Sequence, residues 1–263
     1  MSTPGTHIDL GGAMITMVEP TRDPDKLREY NRWYEHDHCY SGVMVGPGAF
    51  SYGRFVATRP LKDLRLAPRP SVADPIDTGT FIAFYFYVAG SLDQHFAWSF
   101  GETPKLAEQG RMNGDREHVS TSLYDFCGSV NRPGWPVPAE IALDHRYPGL
   151  VVGWLDRAAD ATNADVERWV RETWAPAALA GSSIAQVLTF APRDFPGMAG
   201  TGVGVGDKVL VACFLQCDPR EAWDGRFTGF GDAVEASGVG TLGLLAPFVP
   251  VVPGTTTYLD ELW

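Results

Sequence analysis

The chain has 263 residues, 44% hydrophobic and 20% charged, and 21 Lys+Arg against 32 Asp+Glu give a formal net charge of −11. That composition fits one large or two average globular domains and excludes general disorder, and its acidic balance repels phosphate backbones, so no nucleic-acid partner is expected. No apolar run approaches the roughly 20 residues of a bilayer span, and the N-terminus lacks the basic start and apolar stretch of a signal peptide; a cytoplasmic chain with no membrane partner is the expectation.

Residues 12–19 (GAMITMVE) are apolar on both alternating faces and read as a strand covered on both sides, ended by Pro20. Residues 25–38 follow as a helix, with Leu27, Tyr30, Trp33, Tyr34 and His38 at helical spacings and Asp23 and Asp25 as candidate caps around Pro24. The turn at 46–48 (GPG) opens a second strand through Phe50, Tyr52, Arg54 and Val56. Residues 59–79 hold four prolines and no period, which suits a lid or an irregular excursion. Residues 80–89 (TFIAFYFYVA) are aromatic and β-branched throughout, a strand buried on both faces. One or two short helices follow. Residues 115–126 then alternate His118, Ser120, Ser122 and Tyr124 against Val119, Thr121 and Leu123, a strand with one polar face.

The order βαββαβ then recurs after a Pro- and Gly-rich connection at 127–148: strand 150–157, helix 163–180, strands 183–192 and 207–217, helix 219–237 and strand 241–252. Two α+β repeats in one chain, 1–140 and 141–263, are therefore expected. Cys39, Cys127, Cys213 and Cys217 show neither zinc nor disulfide spacing and read as buried thiols, the last two placed together on a strand. The glycine-rich run at 200–206 lacks the spacing of a phosphate-binding fingerprint and reads as a flexible loop.

The first helix and second strand, with Trp33, Tyr34, His38, Pro47, Gly48 and Arg54, resemble the dimeric α+β barrel superfamily and its EthD-like members. Those carry W-Y-x-x-x-H on the first helix, a P-G turn and an aromatic-Arg strand. The family follows the histidine with x-Pro, whereas this chain has Cys39 and Tyr40. In the second repeat Trp169, Val170 and Trp174 fall where Trp33, Tyr34 and His38 stand, so that half is a copy without the polar residues. The resemblance implies two ferredoxin-like repeats packed sheet to sheet into a barrel within one polypeptide, with a ligand cavity. It spans cyclases, cofactor-free monooxygenases, isomerases, dehydratases and haem enzymes, so the fold alone selects no reaction.

Tyr34 and His38, four apart on a helix, share a face and could present a phenol and an imidazole together. Histidine titrates near neutral pH, which suits proton transfer. His36 reads as a solvated helix terminus and Asp37 as surface charge. His36 and His38 point roughly 200° apart and cannot chelate one ion, so no metal is expected. On the fourth strand His118 and Tyr124 could reach a substrate if their face lines the cavity, and Tyr85 and Tyr87 could form an aromatic wall, with core packing as the alternative. His95, beside Phe96 and Trp98, could approach a haem iron, though a histidine among aromatics is more often core.

The leading expectation is a cofactor-independent enzyme of lyase type: elimination, retro-aldol cleavage, cyclisation or isomerisation of a hydrophobic, aromatic or polycyclic small molecule. His38 would be the general acid/base, with Tyr34 and His118 positioning an oxygen and Trp33, Tyr85, Tyr87 and Tyr124 contacting substrate. The alternatives are an oxygenase of the same fold, cofactor-free or haem-dependent, and a non-catalytic carrier. The C-terminal strand and the terminal DELW leave a homodimer open.

Overall fold

The computed structural model describes residues 7–194 and 208–263. The glycine-rich run at 200–206 lies outside the described residues. Eight antiparallel strands close into a barrel in the order β1-β3-β2-β8-β5-β7-β6-β4. The first repeat supplies β1 (Leu10–Pro20), β2 (Ala49–Val56), β3 (Phe81–Val88) and β4 (Arg116–Asn131). The second supplies β5 (Gly149–Arg157), β6 (Ile184–Arg193), β7 (Lys208–Leu215) and β8 (Gly240–Pro250). Each half is thus a four-stranded sheet with the βαββαβ order that the sequence predicts.

The two joins differ. At one, β2 meets β8 only through Phe55↔Pro250 and Val56↔Val249, where Pro250 has no N–H to continue the ladder. At the other, β4 is long enough to pair with β1 along Arg116–Asp125 and with β6 along Leu123–Asn131. A bulge between Phe126 and Gly128 lets it bend from one sheet to the other. The barrel interior is filled by alternate residues of all strands, among them Phe84, Phe86, Trp154, Phe190 and Phe214. Tyr85 and Tyr87 face outward instead, towards the helices.

Helix α1 (Pro24–Trp33) opens on Asp23, whose carboxylate accepts from the backbone N–H groups of Asp25 and Lys26, with Pro24 at the first turn. The helical path does not stop at His38. It runs on through two π-helical turns, Tyr34–His38 and Tyr40–Met44, so the helical segment is longer than the sequence pattern indicates. A short α2 (Arg59–Lys62) begins the Pro-rich segment, and α3 (Leu92–Glu108) is one continuous helix with Pro104 inside it rather than two.

In the second repeat α4 (Asn163–Trp169) passes through a π turn, Val170–Trp174, into α5 (Ala175–Leu179), while α6 (Pro219–Arg226) and α7 (Phe230–Ser237) replace the single helix expected over 219–237. The cysteine thiols are all free, with Cys39 and Cys213 buried. Cys217 lies beyond the end of β7 at Leu215, so the expected pair on one strand does not form. Among the described residues no helix is long and apolar enough to cross a membrane.

Residues 59–79 are a brace. Arg65 is buried and its guanidinium donates to the carbonyls of Ile76, Thr78 and Gly79. Leu66 bridges to Leu245 of β8, and Glu19 accepts from the backbone N–H groups of Gly79 and Thr80 at 2.7 and 2.8 Å. The C-terminal tail docks on its own chain, with Leu262 buried and the Lys62 ammonium 4.3 Å from the Trp263 ring centroid.

Replacing Arg65 with Met removes the donors of three carbonyls while keeping much of the apolar stem. Each stranded buried acceptor is costly, and a loss of about 2–4 kcal/mol is expected in chemical denaturation, together with new proteolytic cleavage within 66–78. An unchanged denaturation midpoint would show that the segment is not braced by this side chain.

Candidate active site

A cavity of about 430 Å³ lies between the outer face of the first sheet and the helical layer. Its floor is Met14, Thr16 and Val18 of β1 with Tyr85 of β3, and α3 covers it with Phe96, Phe100 and Leu106. Tyr34 and His38 enter from the helix, and Arg116, His118 and Thr121 from β4. The structure therefore brings Tyr34, His38, His118 and Tyr85 of the sequence-predicted set together in one place.

The π turn places His38. In an α-helix residues five apart diverge by roughly 140°, but here the N–H of Cys39 reaches the carbonyl of Tyr34, five residues back. The widened turn brings His38 beneath Trp33, ring on ring at 4.3 Å and 20°, and 5.6 Å from the Tyr34 ring. Trp33 does not line the cavity as expected of a substrate contact. Its indole N–H donates to the carbonyl of Arg111 at 2.7 Å, and the ring is a backing plate for the imidazole. Asp37 binds the Arg111 guanidinium, which holds its carboxyl below the usual range, and accepts from Ser41 at 2.7 Å. That ties the loop after α3 to the helix end.

His38 Nδ1 is buried without a hydrogen-bond partner and faces Gly42. Burial, helped by the charge of Arg116 and by His118, pulls the imidazole down to about 3, against a smaller opposing effect of Asp37. Burial and Arg116 take His118 down to about 4. Both rings are neutral at ordinary pH. His118 Nδ1 is 2.8 Å from the Thr121 hydroxyl, which is 2.8 Å from that of Thr16. The Tyr34 and Tyr85 hydroxyls share a hydrogen bond of 2.7 Å, and burial raises both phenols well above their usual value. One of that pair donates to the other, which leaves the acceptor's own proton available.

Three expectations fail here for identifiable reasons. Residues 118–124 do not keep one polar face: β4 bulges against β1 where Met17↔Ser120 gives way to Val18↔His118. The extra residue, Val119, reverses the alternation. His118 and Thr121 thus face the cavity, while Tyr124 packs in the barrel interior and is no substrate contact. Tyr87 shares the outward face with Tyr85 but lies beside the cavity, its hydroxyl 3.3 Å from His95 Nε2.

His95 does not reach the cavity. Its Nδ1 donates to the Pro47 carbonyl at 3.1 Å, so Nε2 accepts from Tyr87 within a cage of Phe96 and Trp98. It fastens the GPG turn, where Gly48 has φ +73° and Gly46 lies so close that a Cβ would strike Trp98 and His95. Arg54, matched in the family pattern, is buried under the helix rather than in the cavity. Sequence reasoning missed Arg116, Thr16, Thr121 and the α3 wall, because a charge at a strand start and threonines within a strand carry no distinctive spacing.

A ligating histidine usually donates its second ring N–H to a carbonyl or carboxylate. His38 lacks such a partner, His118 has only a hydroxyl, and His95 has the carbonyl but no open nitrogen. These histidines do not fit an axial haem ligand. In the second repeat the same π turn occurs, yet Val170 is buried and Trp174 packs 4.5 Å from Phe230 where His38 meets the cavity.

No family model matches the chain, and no curated protein matches it. Among solved structures it is similar to an anthrone oxidase-like protein, with a TM-score of 0.56 and 10% identity over 93% of this chain and 92% of that one. It is similar to a variant of DypB from Rhodococcus jostii RHA1 in complex with heme, with a TM-score of 0.53 and 10% identity over 94% and 95%. DtpA from Streptomyces lividans, solved as an oxyferrous complex, gives 0.52 and 12% over 99% and 95%. This chain has the dimeric α+β barrel fold. The likeness does not single out the EthD-like branch.

The unfolded chain protonates its histidines near pH 6.5, whereas folded His38 and His118 stay neutral down to about 3 and about 4. Stability is therefore undiminished above pH 6.5 and falls between 6.5 and about 4, by up to about 1.4 kcal/mol per pH unit for each ring. The two imidazole Cε1–H resonances should not titrate above pH 5 in NMR, and the His38→Asn variant should show a shallower fall of Tm over that window. A midpoint near 6.5 for His38 would contradict the burial argument.

Proposed function

We propose that the chain is an oxygenase-type oxidoreductase that uses no bound cofactor and acts on an aromatic or polycyclic small molecule with an acidic C–H, in the first-repeat cavity. The observation that carries this is the pair of neutral imidazoles, His38 and His118, on the wall of an otherwise largely apolar cavity. A buried N–H without an acceptor is the costlier orphan. Nδ1 of His38 is thus assigned the lone pair and Nε2 the proton, which makes His38 a donor to a substrate oxygen. A neutral imidazole in such a role polarises a carbonyl without first losing a charge.

His118, with Nδ1 engaged by the Thr121 hydroxyl, is assigned the base. It takes the substrate proton, and the carbanion that forms supplies the counter-charge its imidazolium lacks in the free protein. His38 and the Tyr34–Tyr85 hydroxyl pair hold the developing oxyanion. The carbanion passes one electron to dioxygen, and the resulting radicals combine to a peroxide anion that His118 protonates. Loss of water from this hydroperoxide leaves a carbonyl, so that one substrate methylene and one dioxygen become one ketone and one water. The expected roles are thereby exchanged, since the shared helix face with Tyr34 and the match to the family pattern made His38 the acid/base.

Lyase chemistry would use the same proton transfer and no oxygen. What supports oxygen is the set of proteins that share the fold, an anthrone oxidase-like protein and two solved with heme or as an oxyferrous complex. With anthrone as the probe, an oxygen electrode should record one dioxygen consumed per product. His38→Ala should lower kcat about 10²- to 10³-fold. Product formed at an unchanged rate under argon would replace this reading with a lyase. Tight binding without turnover, surviving loss of both histidines, would make the chain a carrier.

A further inference from the structure

The cavity carries one positive charge, that of Arg116, which no carboxylate among the described residues pairs. Several other arginines meet carboxylates: Arg54 meets Glu35, Arg111 meets Asp37, Arg171 meets Glu167, and Arg193 meets Asp125 and Asp93; the buried Arg65 is instead satisfied by three backbone carbonyls. Among the described residues no ion pair involves Arg116. Its sequence neighbour Asp115 is 3.4 Å from Lys26 instead, and Glu117, the next residue along the strand, is exposed. The Arg116 guanidinium lies 4.9 Å from the Trp33 ring centroid and donates one N–H to the Asn113 carbonyl. Of its five donors, the remainder meet no acceptor among the described residues and can serve a ligand.

The position is a built one. The aromatic face of Trp33 and the Asn113 carbonyl fix the plane of the guanidinium, and Trp33 is itself held by the Arg111 carbonyl. A planar cation held in this way matches a carboxylate through two parallel hydrogen bonds, and the match is stronger where water is scarce. The opposite walls, Phe96, Phe100, Leu106 and Met112, offer an apolar body nothing to bond with. Cation at one place and aromatic and aliphatic walls elsewhere describe a ligand with one acidic group on a flat hydrophobic frame.

We infer that Arg116 anchors a carboxylate of the substrate, so that the cavity takes an aromatic or polycyclic carboxylic acid in preference to its neutral counterpart. This rests on the first-repeat cavity being the substrate site, as proposed above. With a net charge of −11 the chain as a whole repels anions, and a local reversal of sign inside a cleft is what selects one there.

The test is calorimetric titration of the full chain with anthracene-2-carboxylate and with its neutral isostere, anthracene-2-carboxamide. The wild type should bind the acid at least ten-fold more tightly than the amide. Arg116→Gln should abolish that ratio by weakening the acid alone, and Arg116→Lys should restore part of it; circular-dichroism melts check that both variants fold. Ser99→Trp, which fills the cavity from α3, should abolish binding of both probes. Equal affinities in the wild type, or a ratio unchanged by Arg116→Gln, with Ser99→Trp still abolishing binding, would overturn the Arg116 assignment and leave the cavity standing as the site. Binding that Ser99→Trp does not affect, or no binding of either probe, would overturn the cavity reading and this inference with it.

Discussion

A guanidinium buried under a helix has to be neutralised where it stands, and the placement of the first-repeat site depends on how Arg54 meets that demand. Glu35 lies 3.2 Å from it, the Asn31 side-chain carbonyl accepts at 2.7 Å, and the rings of Phe81 and Tyr34 lie 4.0 and 4.4 Å away. Three of these groups, Asn31, Tyr34 and Glu35, belong to the helix, so satisfying the charge fixes the rotation of that helix over the sheet. The second oxygen of Glu35 accepts from the Gly254 N–H at 2.8 Å and draws in the chain beyond β8. Removing one member of such a pair typically costs about 3–5 kcal/mol, because the other charge is left buried alone. With the helix fixed, Tyr34 meets Tyr85 and the widened turn carries His38 to the cavity.

Much of the fold is legible in the residues. The apolar run of β1, the aromatic and β-branched run of β3, the Asp23–Pro24 start of α1 and the recurrence of βαββαβ give the architecture before any coordinate is known. The site is most legible at the helix end, where Tyr34 and His38 are near in sequence, while His118 and Tyr85 are candidates only on condition that their strand faces line the cavity. Its other half depends on irregularities that leave no trace in a periodic pattern. A single extra residue at Val119 turns His118 and Thr121 to one side and Tyr124 to the other. The π turn after Trp33 is likewise silent, since it forms over YEHDH in one repeat and over VRETW in the other, two segments that share no signature residue. The Pro-rich segment resembles a lid in composition, whereas Arg65, reaching three carbonyls, makes it a brace.

The two repeats share a backbone and differ in what fills it. Both break their first helix into a π turn at the same point, which shows that the irregularity belongs to the scaffold. In the second repeat Val170 and Trp174 occupy the positions of Tyr34 and His38, and Trp174 closes on Phe230, so burial replaces a polar wall. The first repeat gives up that packing to keep two half-buried, neutral imidazoles beside a cation. Such an arrangement suits a reaction in which negative charge appears on the ligand, because each of these groups interacts more strongly with the anion than with its neutral precursor.

The most direct test of this account is a crystal structure of the chain soaked with anthrone under argon. The account predicts the ligand between Tyr85 and α3, its oxygen within hydrogen-bond distance of His38 Nε2. Anthrone seated instead in the separate cavity of about 420 Å³ bounded by Tyr52, Leu143 and Tyr147, with the first-repeat cavity free of ligand, would contradict it.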